Sequence, residues 1–399
     1  MYKLIFFTAI FFICFQLQAQ YENDNVLYKT VYPEDLAQQL KSNPGFLLLD
    51  VRSKEENADI SMMGMNIGHF KNAKNINVNE LGRRINELKN YKDQPVFVYC
   101  SHSQRSRRAS KMLADSGFTQ VFNINGGMTA LIQSNYGVND IYETKNKFQY
   151  LSPAEFCKQI GNKNTLLLDV RSDSAYKAIT NDEHDNALGK FKNANHIALD
   201  NLGNSMNKLP KEKSILIIDG YGNQGVQAAA MLTSNGYNNV AVLFDGMYNL
   251  ISSPDINCKN EIWQQNKKYH TITTDEFNKL AKDDTNIAIV DIRNAVEYNN
   301  QSKNSWQNTG HIKNAINIPL SDIPNKLNDI SSFKNKPVVV YSFTSHVDAY
   351  NAAATLIANG FTNVNILAGG IFNLRWKAAN LKGQSALKDW VVDIPFGNR

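Results

Sequence analysis

Leu47-Leu48-Leu49-Asp50-Val51-Arg52 is the stretch that decides the fold, because it occurs three times. It returns as Leu166-Leu167-Leu168-Asp169-Val170-Arg171 and as Ala288-Ile289-Val290-Asp291-Ile292-Arg293. Successive copies stand 119 and 122 residues apart, which divides the 399-residue chain into three domain-sized repeats. Each copy is a short apolar run closed by Asp-x-Arg, and reads as a buried parallel strand with a polar carboxyl end.

The surroundings of the three copies also correspond. Upstream, Tyr32-Pro33-Glu34-Asp35, Ser152-Pro153-Ala154-Glu155 and Thr274-Asp275-Glu276 carry helix-start chemistry: proline or a hydroxyl, then acids in the first turn. Downstream come Gly68-His69-Phe70-Lys71-Asn72-Ala73, Gly189-Lys190-Phe191-Lys192-Asn193-Ala194 and Gly310-His311-Ile312-Lys313-Asn314-Ala315, each before a short strand. A second apolar strand follows at Val96-Phe97-Val98-Tyr99, Ile215-Leu216-Ile217-Ile218 and Val338-Val339-Val340-Tyr341, then a loop and a helix that stops at Gly117, Gly236 or Gly360. Gly126-Gly127, Asp245-Gly246 and Gly369-Gly370 turn out of the last strand. Strands alternating with helices predict α/β units with a parallel sheet. The units fall at 21–145, 146–265 and 266–383, and Trp390 and Phe396 predict that the tail 384–399 packs on the body.

The N-terminus differs in kind. Lys3, the apolar run Leu4 to Phe15 and the small Ala19 read as a signal peptide over 1–19, so the chain is expected to be exported, periplasmic or secreted. An uncleaved anchor is the alternative, although the run is short for a span, which takes about 20 residues. Cys14 lacks the small residues of a lipobox before it. No other stretch predicts a membrane span. The net charge of +5 is spread along the chain without a basic, aromatic-interleaved patch, so no nucleic-acid partner is expected.

The repeat resembles the rhodanese-like domain family, in three tandem copies covering about 360 of the 399 residues. The Asp-x-Arg strand end, the Gly-His-x-x-x-Ala element, the cysteine loop and the Gly-Gly turn occur in the family's order. The resemblance implies a small parallel sheet flanked by helices in each copy, with the active loop at a strand's carboxyl end and no cofactor or metal. It also implies Cys100 as the catalytic nucleophile, with Ser101, His102, Ser103, Gln104 and Arg105 lining the substrate site. A cysteine between a strand and a helix N-terminus lies where open α/β sheets bind ligands. Loop N–H groups, the helix dipole and the Arg105 charge there all favour thiolate over thiol. Sulfurtransferase activity is implied: sulfane sulfur passes from thiosulfate or a persulfide to a thiol or cyanide through a Cys100 persulfide. Expected partners are thus a small sulfur compound and a thiol acceptor, which a protein could supply.

Four residues between Cys100 and Arg105 resemble the sulfurtransferase members more than the phosphatase-like ones, whose loop is one longer. The family often has a basic residue after the cysteine and glycine at the fourth position; here these are Ser101 and Ser103. Less positive charge results, and Ser103 is strained if its φ must be positive. His102 either binds or gates substrate or simply faces solvent. Asp50 and Arg52 are expected to pair structurally and brace the loop.

The other copies lack the thiol. Asp219 holds the cysteine position in the loop Asp219-Gly220-Tyr221-Gly222-Asn223-Gln224-Gly225, and Ser342 holds it in Ser342-Phe343-Thr344-Ser345-His346. Both copies read as inactive. This leaves a rival reading, a binding or scaffold protein in which Cys100 is a relic or redox sensor, and a weaker one, a phosphatase or arsenate reductase. Cys157 and Cys258 lie near the two ends of the second copy, which suggests a disulfide between them; two separate thiols are the alternative.

Overall fold

The computed structural model describes residues 26–61, 63–134, 140–253, 263–283 and 286–395. The expected signal peptide, Cys258 and Phe396 lie outside these residues. Each repeat forms one five-stranded, all-parallel sheet. In the first, the order across the sheet is Lys29–Val31, Val121–Ile124, Val96–Tyr99, Leu47–Asp50 and Lys74–Asn75. The second and third sheets repeat this order, with Thr165–Asp169 and Ala288–Asp291 beside the central strands Ser214–Ile218 and Pro337–Tyr341. The expected fold class is therefore the observed one.

The alternation of side chains in each central strand fills both faces of the sheet. In the first unit Val96 and Val98 point into one core layer with Leu47, Leu49 and Leu113, while Phe97 and Tyr99 point into the other with Leu48, Leu36 and Met128. This is why these strands are apolar at every position rather than at every second one. Phe97 stacks on Phe122 with ring centroids 4.6 Å apart.

Two features were not predicted. A three-residue strand precedes the first helix of every unit, at Lys29–Val31, Gln149–Leu151 and His270–Ile272, and closes the sheet's far edge. Each is too short and mixed to show a period. A small antiparallel pair also seals each unit: Phe70 opposite Tyr142, Phe191 opposite Trp263, and Ile312 opposite Val391. The expected tail is thus structural. Val391–Val392 completes the third pair, Leu387 and Ile394 enter the third core, and Trp390 packs edge-to-face with Phe277 and donates to Asn278 Oδ1 at 2.8 Å.

Asp50 and Arg52 form a buried pair at 2.7 Å, and Arg52 also donates to the Gly68 carbonyl at 2.8 Å. Asp169 with Arg171 and Asp291 with Arg293 repeat it. The pair ties the strand end to the Gly68–Ala73 segment, and its link to the cysteine loop is indirect. Among the described residues, no helix is long and apolar enough to cross a membrane.

The units touch one another through specific contacts. Tyr150 of the second donates to the Asn66 carbonyl of the first at 3.4 Å. His184 of the second stacks on Tyr350 of the third at 4.5 Å. The last long helix of the third unit, Gly370–Asn380, lies against the first unit beside the cysteine loop.

Candidate functional site

Cys100 follows the central strand Val96–Tyr99 and precedes the helix Gln104–Asp115. The loop's shape is dictated by two backbone constraints. Ser103 has φ +84°, in the left-handed region, so the strain expected from a serine there is present. Its hydroxyl accepts from the Gly126 N–H, which fastens the strained turn to the Gly-Gly corner. Gly127 has φ +59°, and a Cβ there would lie 2.3 Å from the Cys100 carbonyl oxygen. That close approach lets Met128 N–H donate to the Cys100 carbonyl and Thr129 N–H to the Ser101 carbonyl, at 2.9 and 3.0 Å.

The thiol is 1 % exposed. Its Sγ lies 3.6 Å from Ser106 Oγ, which sits 2.7 Å from Asn123 Oδ1. Asn123 donates to Asn125 Oδ1 at 3.1 Å, and Asn125 donates to the Ala379 carbonyl of the third unit at 3.0 Å. A chain of hydrogen bonds thus links the cysteine to the far helix.

Arg105 departs from expectation. Its guanidinium forks onto Glu56, at 2.5 and 2.8 Å, and also donates to Ser101 Oγ at 2.8 Å. The hydrogen bonds to Glu56 raise the Arg105 pKa. Burial alone would raise Glu56, but the bonds from Arg105 and the Ser53 N–H outweigh it and hold the carboxyl below its usual range. The full positive charge expected at the thiol is therefore largely neutralised within the pair, and Arg105 props the loop. Glu56 reaches it from the helix Lys54–Asn57, where Ser53 and Glu56 form a capping box. That signature was legible in the sequence; its reach to Arg105 was not.

His102 stands at the rim, its Nδ1 2.9 Å from Ser101 Oγ and its Nε2 3.2 Å from Thr129 Oγ1. Partial burial of the ring, and then Arg105, lower its pKa. Gln104 is exposed at the helix start. The indole of Trp376, from the third unit, donates to the His102 carbonyl at 3.4 Å. Arg107 donates to Asn380 Oδ1 at 2.7 Å. Sequence reasoning missed Ser106, Asn123, Asn125, Thr129 and Trp376, since nothing local marks a residue that meets the loop only after folding.

The other two copies show what occupies the same loop where cysteine is absent. In the second, Asp219 accepts from Gly222 N–H at 2.7 Å and from Gly225 N–H at 2.9 Å, so the carboxylate fills the loop's own ring of amides. Burial raises its pKa while those amide bonds oppose the rise. In the third, Ser345 N–H donates to Ser342 Oγ at 2.9 Å. Gly222 and Ser345 correspond to Ser103, and all three have positive φ. Of the three loops, the first alone offers a thiol to these amides. His346 is exposed, and the Ser342 hydroxyl bonds only to the Ser345 N–H of its own loop among the described residues. Cys157 is disulfide-bonded, whereas Cys100 is a free thiol; Cys258, the partner expected for Cys157, is outside the described residues.

Three α/β units, each with a parallel five-stranded sheet and a strand-to-helix loop at the carboxyl end of its central strand, define the class. Residues 32–134, 152–253 and 273–378 each match the family described as Rhodanese-like domain, and the chain belongs to that family. An uncharacterized protein of Bacillus subtilis (strain 168) is 33 % identical over 127 residues, spanning 32 % of this chain and 88 % of that one. The tRNA uridine(34) hydroxylase of Yersinia pestis (strain Pestoides F) is 30 % identical over 136 residues; the match spans 33 % of this chain and about a third (35 %) of the hydroxylase. Among solved structures, a thiosulfate sulfurtransferase from Pseudomonas aeruginosa matches 86 % of this chain and 66 % of its own, at 16 % identity and TM-score 0.24.

Proposed function

We propose that the first unit is a sulfurtransferase in which Cys100 carries sulfane sulfur as a persulfide. The observation that carries this reading is Asp219, held by two loop amides at 2.7 and 2.9 Å: the loop of this fold turns N–H donors toward its first side chain. Cys100 puts sulfur at that position in the first unit. Its thiolate attacks the outer sulfur of thiosulfate or of a persulfide, a new S–S bond forms, and sulfite or a thiolate leaves with the electron pair. A thiol or cyanide then takes the outer sulfur and returns Cys100 as thiolate. The buried network from Ser106 to Asn125 and the Glu56–Arg105 pair keep the loop in place while charge moves from ligand to loop and back. In this reading the second and third units shape the site without chemistry of their own, and the apolar N-terminal run directs the chain to export.

A binding or scaffold role is the second reading. The 1 % exposure of Cys100 and the loops of the other two units, closed by Asp219 and Ser342, favour it. The two separate on one experiment. The purified protein and Cys100→Ser are incubated with thiosulfate or an organic persulfide and weighed intact. A gain of about 32 Da (one sulfur) in the parent alone supports transfer. No adduct, with Cys100 still alkylatable, supports the scaffold.

A further inference from the structure

The third unit carries aromatic residues at two positions where the first unit's loop contacts are polar. In the first unit the Thr129 N–H donates to the Ser101 carbonyl; in the third, the corresponding bond joins Phe372 N–H to the Phe343 carbonyl at 2.9 Å. Phe343 and Phe372 therefore stand where Ser101 and Thr129 stand, their rings 5.7 Å apart. Trp306 packs on Phe343 at 5.2 Å. Trp306 is 60 % exposed and Phe372 is 50 % exposed, two large apolar groups left in water against the same Phe343 ring.

This strip runs to the cysteine loop. Phe372 and Trp376 are four residues apart on the helix Gly370–Asn380, hence on one side of it and about 6 Å apart along its axis. Trp376 then meets the His102 carbonyl at the rim of the Cys100 loop. Trp306 is thus linked to Trp376 through Phe343 and Phe372, by ring-to-ring steps of 5.2 and 5.7 Å and one turn of helix. Its continuity with the rim points to a molecule that also reaches Cys100.

Building on the sulfurtransferase reading, we propose that this strip binds the sulfur acceptor, and that the acceptor is a peptide or protein thiol flanked by apolar side chains. The apolar flank lies on Phe372 and Trp376 while the thiolate attacks the outer sulfur of the Cys100 persulfide. The S–S bond at Cys100 breaks, its electron pair stays on Sγ, and the acceptor leaves as a persulfide; no other oxidant or reductant enters. Trp376 and Phe372 act here as specificity-determining residues.

The test compares two heptapeptides as acceptors, one with a central cysteine flanked by phenylalanines and one flanked by serines. Cys100 is first loaded with sulfur, and its discharge is followed by intact mass. The expected result is a tenfold or larger preference in kcat/KM for the apolar peptide, falling to within twofold in Phe372→Ser and in Trp376→Ala and retained in Phe372→Leu. Because each variant is judged by the ratio of two rates, a partial loss of folded protein does not imitate the effect. Equal discharge by both peptides in the parent, or a preference that survives both substitutions, overturns the proposal. Failure of Cys100 to load overturns the sulfurtransferase reading first, and the acceptor with it.

Discussion

Replacing His184 with phenylalanine should remove an acid sensitivity from the contact between the second and third units. His184 is 3 % exposed, ringed by Tyr221, Tyr248, Tyr350 and His346 at 4.5 to 5.4 Å, and its Nε2 has no hydrogen-bond partner among the described residues. Burial, and then the neighbouring His346, lower its pKa from 6.5 to about 4, against a small opposing pull from Asp182. The unfolded chain therefore binds this proton more readily than the folded one. Stability is full above pH 6.5, falls as pH drops below it, and stops falling near pH 4. At 1.36 kcal/mol for each pH unit between those limits, the loss is about 2 kcal/mol at pH 5 and about 3 kcal/mol near pH 4. Asp245, which burial and then Asp219 push up to about 6, works in the opposite sense, losing stability as pH rises. Its contribution is common to parent and variant and cancels in their difference. The assay is urea unfolding of both proteins at pH 7.5 and pH 5.0. The parent is expected to lose about 2 kcal/mol more than His184→Phe across that interval. An equal loss in both, to within about 0.5 kcal/mol, would refute the buried neutral histidine as the cause.

Other substitutions test the cysteine loop. Gly127→Ala forces a Cβ to 2.3 Å from the Cys100 carbonyl at positive φ, and should cost at least about 2 kcal/mol in thermal unfolding and slow sulfur loading. Ser103→Ala keeps the left-handed strain and loses the bond to Gly126, whereas Ser103→Gly loses the bond and relieves the strain; the glycine variant should unfold at the higher temperature, by about 1 kcal/mol. Glu56→Gln removes the charge that Arg105 holds in its fork and should cost about 2 kcal/mol at pH 7. Because Glu56 titrates below its usual 4.5, the parent's advantage is present above that pH and disappears as acid protonates the carboxyl, which denaturation at pH 7 and pH 3 would read.

The repeat, the strands at 47–50 and 96–99, and the helix after Cys100 were legible because each rests on local pattern: an unbroken apolar run, a capping residue, a stopping glycine. The positive φ at Ser103 was raised only as a condition, by the glycine that the family often has at that position. The sequence alone therefore determined the three α/β units, the position of the single loop thiol and the absence of a thiol from the other two loops. Folding decided the rest. Glu56 and Arg105 are 49 residues apart, and a bidentate pair across that distance replaced the expected free charge. Trp376 lies 274 residues from His102 and belongs to another repeat, yet it forms the rim of the cysteine loop. The tail became a strand only because Ile312 offered it an edge. Secondary structure follows from neighbours in the chain, whereas the charge around Cys100 and the surface that leads to it depend on which faces are left to pack once the local elements have formed.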